Sequence, residues 1–519
     1  MKKRIVTLLL AALMVFTLAA CQENPAEPTN APATGAPATQ APTDAPAPAG
    51  DIVDIVMVGY TSSPSMNDFQ MVVDAINEIL IRDVNVRLTL DVGVSFSNYM
   101  EQMNLRFAAQ EKMDWVLSGT HYNFPDSIVK GYFEPLNDLI EADGQNIVDI
   151  ITYDYLEAAS SGGEIFGIPQ RRDLAAASSG ILYRKDILEA NNLTLDGVEH
   201  TQDFASIFET IHAADPERTM YYSGPPTGPL KTFFPFCDID NLGSNDDISI
   251  LYPFDGTEVK LLPETDEYRA AAAMVREWYA NGWLFSDAAT DTTPGGDYMK
   301  NDRIFAYNNT YHANALTQCY QHTGFEDGKL GVIQTSTMKA TTSTVNVFLW
   351  AMPSWCENPE VAMQFLNYMY GSEEIINLLV WGIEGTHYVW DDNHEFIRYP
   401  DGITRDNLGY RLGTAWLWGD QFKNHVFEGG NPTAWQEMDA DNRSAKFSDA
   451  LGFMFDVTPV KNEYTAVINV YNEFAMAISC GIAPESAVDD YVAKMKAAGA
   501  EAVLAAKQSQ IADWLATRA

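Results

Sequence analysis

From Asp51 onward, short apolar runs alternate with amphipathic stripes, and this alternation constrains the fold more than any other feature of the chain. "DIVDIVMVGY" (51–60) is a brief apolar run suited to a buried strand. After it Phe69, Val72, Val73, Ile76, Ile79 and Leu80 recur at helical spacing, with Ser63 and Pro64 as an N-cap and first-turn pair. "VNVRLTLDVGV" sets Val84, Val86, Leu88 and Leu90 between polar residues, the period of a strand. A helix ("NYMEQMNLRFAAQEK"), a strand ("DWVLSG") and a helix ("DSIVKGYFEPLNDLI") follow. This β-α-β-α-β order predicts an α/β fold, a parallel or mixed sheet covered by helices. Such sheets hold ligands beyond the carboxyl ends of their strands. Those ends are Gly59, Tyr60 and Thr61 on the first strand, and Ser118, Gly119, Thr120, His121 and Tyr122 on the third.

The 519-residue chain is too long for one ordinary core, and the body from Asp51 divides most naturally into two lobes. What precedes the body is not fold. "MKKRIVTLLLAALMVFTLAAC" has a cationic start, an apolar run and small residues before Cys21, the pattern of an export signal. Its "LAAC" end resembles the bacterial lipoprotein signature, which makes residues 1–20 a signal peptide and Cys21 the lipidated residue. Residues 21–50 are then a linker of Ala, Pro and Thr, unable to bury enough apolar surface to order itself. At about 3 Å per residue it would serve as an extended tether. No other stretch is long and apolar enough to span a bilayer.

The formal charge of −39 argues against nucleic acid, which needs a basic surface, and against adhesion to anionic lipid by charge. Cys237, Cys319, Cys356 and Cys480 show no zinc or C-x-x-C spacing, so a disulfide and buried free thiols both stay open. The chain has no G-x-S-x-G, H-E-x-x-H or P-loop motif. "DIDNLGSNDD" (238–247) has calcium-loop flavour in Asp238, Asp240 and Gly243, but its twelfth position is Ser249 rather than a bidentate Glu. The eight histidines form no helical metal pair. We therefore expect no metal, no cofactor and no catalysis.

The aromatics favour binding. Flat rings pack against the C–H faces of sugars, and polar groups bond their hydroxyl rims. Trp350 lies in the apolar strand "VNVFLWAM", and Trp416 and Trp418 stand two apart in "TAWLWGDQF", facing one side if that stretch is extended. Each could equally be core. Arg171 and Arg172 could fork a carboxylate or sulfate, or lie in salt bridges, with Asp173 holding one of them. Trp381, Glu384 and His387 crowd "NLLVWGIEGTHYVW" (377–390), where Gly382 and Gly385 suggest a backbone needing freedom.

Two stretches carry a family resemblance. "GGEIFGIPQRRDLAAASSGILYRKDILEANN" (162–192) resembles the first crossover of ABC-transporter extracellular solute-binding proteins of family 1, the maltose-binding-like group, and "DRIFAYNNTYHAN" resembles its second-lobe strand. "NPEVAMQFLNYMYGSEEIINLLVWGIEGTHYVW" is similar to the LipO-type lipoprotein subgroup, as are segments 410–422, 455–467 and 494–515. The resemblance implies two α/β lobes with a ligand between them: residues 51–169 plus 334–383, and 170–333 plus 384–519. It places Gly382 and Gly385 at a hinge. It makes Tyr60, His121, Tyr122, Arg171, Tyr311, Trp381, Trp416 and Trp418 the ligand-binding candidates. The implied protein is a lipid-anchored monomer on the outer face of a bacterial membrane. It would deliver a small solute, an oligosaccharide by preference, to an ABC permease. An extracytoplasmic sensor subunit and a secreted carbohydrate-active enzyme are the alternatives.

Overall fold

The computed structural model describes residues 50–61, 66–224, 227–253, 256–405 and 407–518. The leader, Cys21, all but the last residue of the linker, and the Ser63–Pro64 pair lie outside them. The helix expected after that pair runs Phe69–Val84 and starts later, at Asp68, with Val72, Val73, Ile76, Ile79 and Leu80 buried. The helix expected over 126–140 is two short ones, Phe124–Val129 and Asn137–Asp143. They are separated where Gly131 takes a positive φ and Pro135 follows.

Two sheets organise the two-lobed α/β body, and both belong to one compact unit. In the first, Val86–Val94, Val53–Tyr60 and Trp115–Ser118 are parallel neighbours. Leu349–Ala351 then pairs antiparallel with Trp115–Ser118 on one side and Ile168–Pro169 on the other. A strand from late in the chain thus sits between two early ones. Residues 69–84 and the helices Pro359–Gly371 and Glu373–Trp381 contribute to the core on this sheet. In the second sheet Ala176–Arg184 is central, antiparallel to Ile304–Tyr311 and Leu330–Gln334, with Met338–Ala340 beside it and Lys446–Phe447 at the edge. Its core takes in helix Asp266–Ala280 and the C-terminal helices Lys461–Ser479, Ala487–Ala497 and Ala500–Arg518.

The chain crosses between the sheets three times. The first crossing runs from Pro169 to Ala176. The second lies later than 334: Met338–Ala340 still pairs in the second sheet, so the crossing is 341–348. The third is displaced further. Beyond residue 384 the chain continues to feed the first core, where Tyr410, Leu412, Leu417 and Trp418 are buried, and it joins the second sheet only at Lys446. Gly382 and Gly385 consequently do not stand where the chain passes between sheets. Gly382 ends helix Glu373–Trp381 at φ 82°, where a Cβ would lie 2.6 Å from His387 Nδ1. Gly385 N–H donates to Tyr388 O at 2.7 Å, closing a local turn.

Asn442, 5% exposed, ties the crossings together. Its Oδ1 accepts from Ala175 N at 2.9 Å, and its Nδ2 donates to Arg172 O at 2.7 Å. Its carbonyl accepts from Tyr155 Oη at 2.6 Å. One residue of the third crossing thereby holds the first crossing and a first-lobe helix, satisfying buried polar groups that would otherwise be costly.

Candidate functional site

The carboxyl ends of the first sheet's strands converge on Phe348, at the end of the second crossing. Its ring lies 4.7 Å from Trp416, 5.4 Å from His121, 6.1 Å from Tyr122, 6.2 Å from Tyr60 and 6.5 Å from Phe96, centroid to centroid. These are the separations of edge-to-face and offset aromatic packing. Tyr60, Tyr122 and Phe348 are buried, whereas Phe96 is 48% exposed, His121 is exposed and Trp416 is half-buried. Three buried rings therefore support three that offer surface.

The backbone explains the convergence. Gly119 turns the chain after Ser118 at φ 136°, and a Cβ there would meet Val347 O at 2.4 Å, so only glycine fits. Thr120 then donates twice to Asn346 O, from N at 2.8 Å and from Oγ1 at 3.0 Å. These bonds pin the His121–Tyr122 turn onto the second crossing. Tyr99 Oη donates to Val58 O at 3.0 Å, and its ring backs Tyr122 at 4.6 Å. The Tyr122 hydroxyl is buried without a hydrogen-bond partner. Burial pushes the Tyr60 phenol up to about 12, and partial desolvation of the imidazole among the rings holds His121 below its ordinary range, so both are neutral at pH 7. The group is an uncharged aromatic platform with hydroxyl and imidazole edges.

The remaining candidates lie elsewhere. Tyr311 ends its strand on the second sheet, half-buried, its phenol pushed up by burial and by the nearby carboxylates of Asp441 and Glu437. Trp418, which would share a face with Trp416 in an extended stretch, is fully buried instead. Ala415–Leu417 is a helical turn, and Trp418 packs 5.6 Å from Trp350 inside the first core. Trp350 Nε1 donates to Leu417 O at 3.0 Å. Trp381 stacks on Phe427 at 5.6 Å rather than joining the Phe348 rings. Arg171 is held by two carboxylates, Asp420 at 3.0 Å and Asp439 at 2.6 Å, and lies over the Phe422 ring. Arg172 bonds Asp173 at 3.2 Å and Thr344 O at 3.2 Å. Arg171 is committed to its two carboxylates, whereas the buried Nε of Arg172 has no hydrogen-bond partner.

His387 is 2% exposed. Its Nδ1 accepts from Ile383 N–H at 2.9 Å, which leaves Nε2–H facing Asp68 at 3.3 Å. It holds the turn after Gly382 and works as structure. In the calcium-like stretch Asp238 pairs with Lys339, Asp246 with Lys507, and Asp240 accepts from Ser448 Oγ. Among the described residues no cluster of three or more His, Cys, Asp or Glu is arranged for a metal ion, and Cys237, Cys319, Cys356 and Cys480 are free thiols. No helix among them is long and apolar enough to cross a membrane.

Phe96 and Phe348 were not among the sequence candidates. Phe96 could have been found as the first ring past the carboxyl end of the second strand. Phe348 stands two residues before Trp350 and was hidden by reading "VNVFLWAM" as one strand.

Residues 72–382, more than half the chain, match a family described as bacterial extracellular solute-binding protein. Residues 449–516 match one described only as a domain of unknown function, DUF3502. A carbohydrate ABC transporter substrate-binding protein of Streptococcus pneumoniae serotype 4 is 23% identical over 90% of this chain and 92% of its own. The N-glycan transport solute-binding protein NgtS of S. pneumoniae superposes with a TM-score of 0.78 at 20% identity, over 91% of this chain and all of that one. Its complex with Man1GlcNAc superposes at 0.69 and 20% identity, over 89% and 99%. At that identity the superpositions establish the shared fold.

Proposed function

The chain belongs to the bacterial extracellular solute-binding protein family, and from that premise we propose that it captures a neutral oligosaccharide for an ABC importer. The family places it outside the cytoplasm. One observation carries the ligand assignment: the uncharged platform of Phe96, His121 and Trp416 at the carboxyl ends of the first sheet. Exposed rings supply stacking faces for pyranose C–H groups, and a neutral imidazole can both donate to and accept from hydroxyls. The engagement of Arg171 by Asp420 and Asp439 speaks against a uronate or sulfated ligand bound at that guanidinium. The pneumococcal relative solved with Man1GlcNAc makes mannose-containing glycans the first class to try.

In this reading the lobes are 51–169 with about 349–420, and 176–340 with 446–518. The three crossings and the Asn442 clamp between them are the hinge. Ligand selects the closed arrangement. Cys21 carries the lipid, the linker lets the body reach a permease, the body acts as a monomer, and no covalent step is involved. A thermal-shift screen of the chain with Man5GlcNAc, cello- and malto-oligosaccharides, uronates and peptides tests it. We expect neutral oligosaccharides to raise the melting temperature. A shift confined to uronates or peptides, or turnover of the glycan, would sink the assignment.

A further inference from the structure

The second lobe contains a cavity of about 350 Å³. It lies apart from the Phe348 rings, between the Pro229–Thr232 turn, the 236–249 loop, helix Lys461–Ser479 and the start of the second crossing. Lys231 and Asp247 form an ion pair on its wall, and the carboxylate is fixed from behind by Tyr491 Oη at 3.1 Å. Asp247 is 2% exposed, whereas Lys231 retains 19% of its side-chain surface. Ser249 also lines the cavity. It is 1% exposed, and its Oγ has no hydrogen-bond partner. A buried hydroxyl without a partner is rare in folded proteins and marks a position where something else completes the bond. At the rim Ser343 Oγ donates to Asn241 Oδ1 and accepts from Gly243 N at 3.2 Å, so the loop is clasped to the crossing.

The chemistry of the cavity is specific. Both lysines on the lining are paired, Lys231 with Asp247 and Lys339 with Asp238, so a charged ligand would leave one charge uncompensated, whereas a neutral one would not. Phe236 and Tyr471 give it apolar sides. Hydroxyl partners with an apolar wall describe one sugar ring, and the volume lies at the lower end of the small-ligand range. The crossing links this cavity to the platform. Thr344 lines the cavity and Phe348 is four residues further on, at most about 14 Å along an extended chain.

We propose that this cavity is a second-lobe subsite that receives the terminal neutral ring of the oligosaccharide stacked on Phe96 and Trp416. This rests on the oligosaccharide reading given above. With a ring in the cavity, Ser249 Oγ is bonded and the ligand touches both lobes, which ties occupancy to closure.

The test is titration calorimetry of the full chain with Man5GlcNAc and with a glucuronate-terminated oligosaccharide of similar length, on wild type, Ser249→Leu, Ser249→Ala and Trp416→Ala. Urea midpoints are measured in parallel. We expect Ser249→Leu, which fills the cavity, to weaken Man5GlcNAc binding at least tenfold with the urea midpoint unchanged. If that variant is destabilised, Ser249→Ala decides, with a loss of severalfold and a midpoint at or above wild type. The glucuronate-terminated probe should bind at least tenfold more weakly than Man5GlcNAc. Wild-type affinity in a stable Ser249 variant beside a weakened Trp416→Ala overturns the subsite and leaves the oligosaccharide reading standing. Binding of neither probe to wild type overturns both. Equal binding of the two probes overturns the neutral-ring assignment.

Discussion

The two lobes differ in where they place charge. The first gathers Tyr60, Phe96, His121, Tyr122, Phe348 and Trp416, a group of rings that presents no charge at neutral pH. The second sinks three ammonium–carboxylate pairs into its interior: Lys231 with Asp247, Lys339 with Asp238, and Lys507 with Asp246. Rings give contact area with little directional demand. Buried ion pairs tolerate only one geometry, because both charges have left water and must be fully bonded. The 236–249 segment is thus cross-linked by three lysines, whereas the first-lobe rings are held together mainly by packing.

The largest effect expected from testing this contrast is at Lys507, whose Nζ donates to both Asp246 oxygens, at 2.9 and 2.8 Å, and to Ile248 O at 2.7 Å. Lys507→Met should cost about 3–5 kcal/mol in urea unfolding, and adding Asp246→Leu should restore most of it. An unchanged midpoint for the single variant would mean that the Lys507–Asp246 pair does not hold the 236–249 segment. Next comes the pair of tryptophans two residues apart. Trp418→Ala empties a fully buried site and should cost about 3–5 kcal/mol, whereas the half-buried Trp416 should cost far less. Equal losses would mean that Trp416 belongs to the core. For ligand the order reverses: calorimetry of Trp416→Ala should show at least a tenfold loss, about 1.4 kcal/mol or more.

The smallest effect is in pH. Burial holds His121 below its unfolded value of about 6.5, so as pH falls through that value the unfolded chain takes up the proton first. Its contribution is therefore intact above pH 6.5 and lost on acidification. His312 and His425 are also lowered, chiefly by burial. Melting temperature should fall between pH 7 and pH 5, and His121→Gln should flatten part of that slope. No flattening would mean that the exposed edge of His121 is in effect fully solvated.

Much of the first lobe was legible because its strands and its first helix carry local periods. Val72, Val73, Ile76, Ile79 and Leu80 are buried as their spacing predicts. The crossings were less legible. Thr341 to Asn346 form a helical turn capped by Thr341 and Thr344, a polar stretch with no apolar period, and the boundary at 334 came from the family resemblance alone, ahead of a strand that still pairs in the second sheet. Tyr410 to Trp418 bury their side chains through partners far away in sequence, and no local period announces that. The same reason hid the platform's centre. Tyr60, His121, Tyr122 and Trp416 were legible as rings near strand ends or in an aromatic stretch, but Phe348 gains its meaning only once three distant segments fold around it.

The placement of Leu349–Ala351 also bears on the order in which the molecule can be completed. Both of its sheet neighbours, Trp115–Ser118 and Ile168–Pro169, are made long before it. A chain emerging N-terminus first therefore holds the first sheet open down its middle until most of the protein exists. Pairings so distant in sequence form slowly. A polypeptide that must be threaded through a translocon benefits from that delay, since its first domain stays incomplete, and so still threadable, until the missing strand arrives.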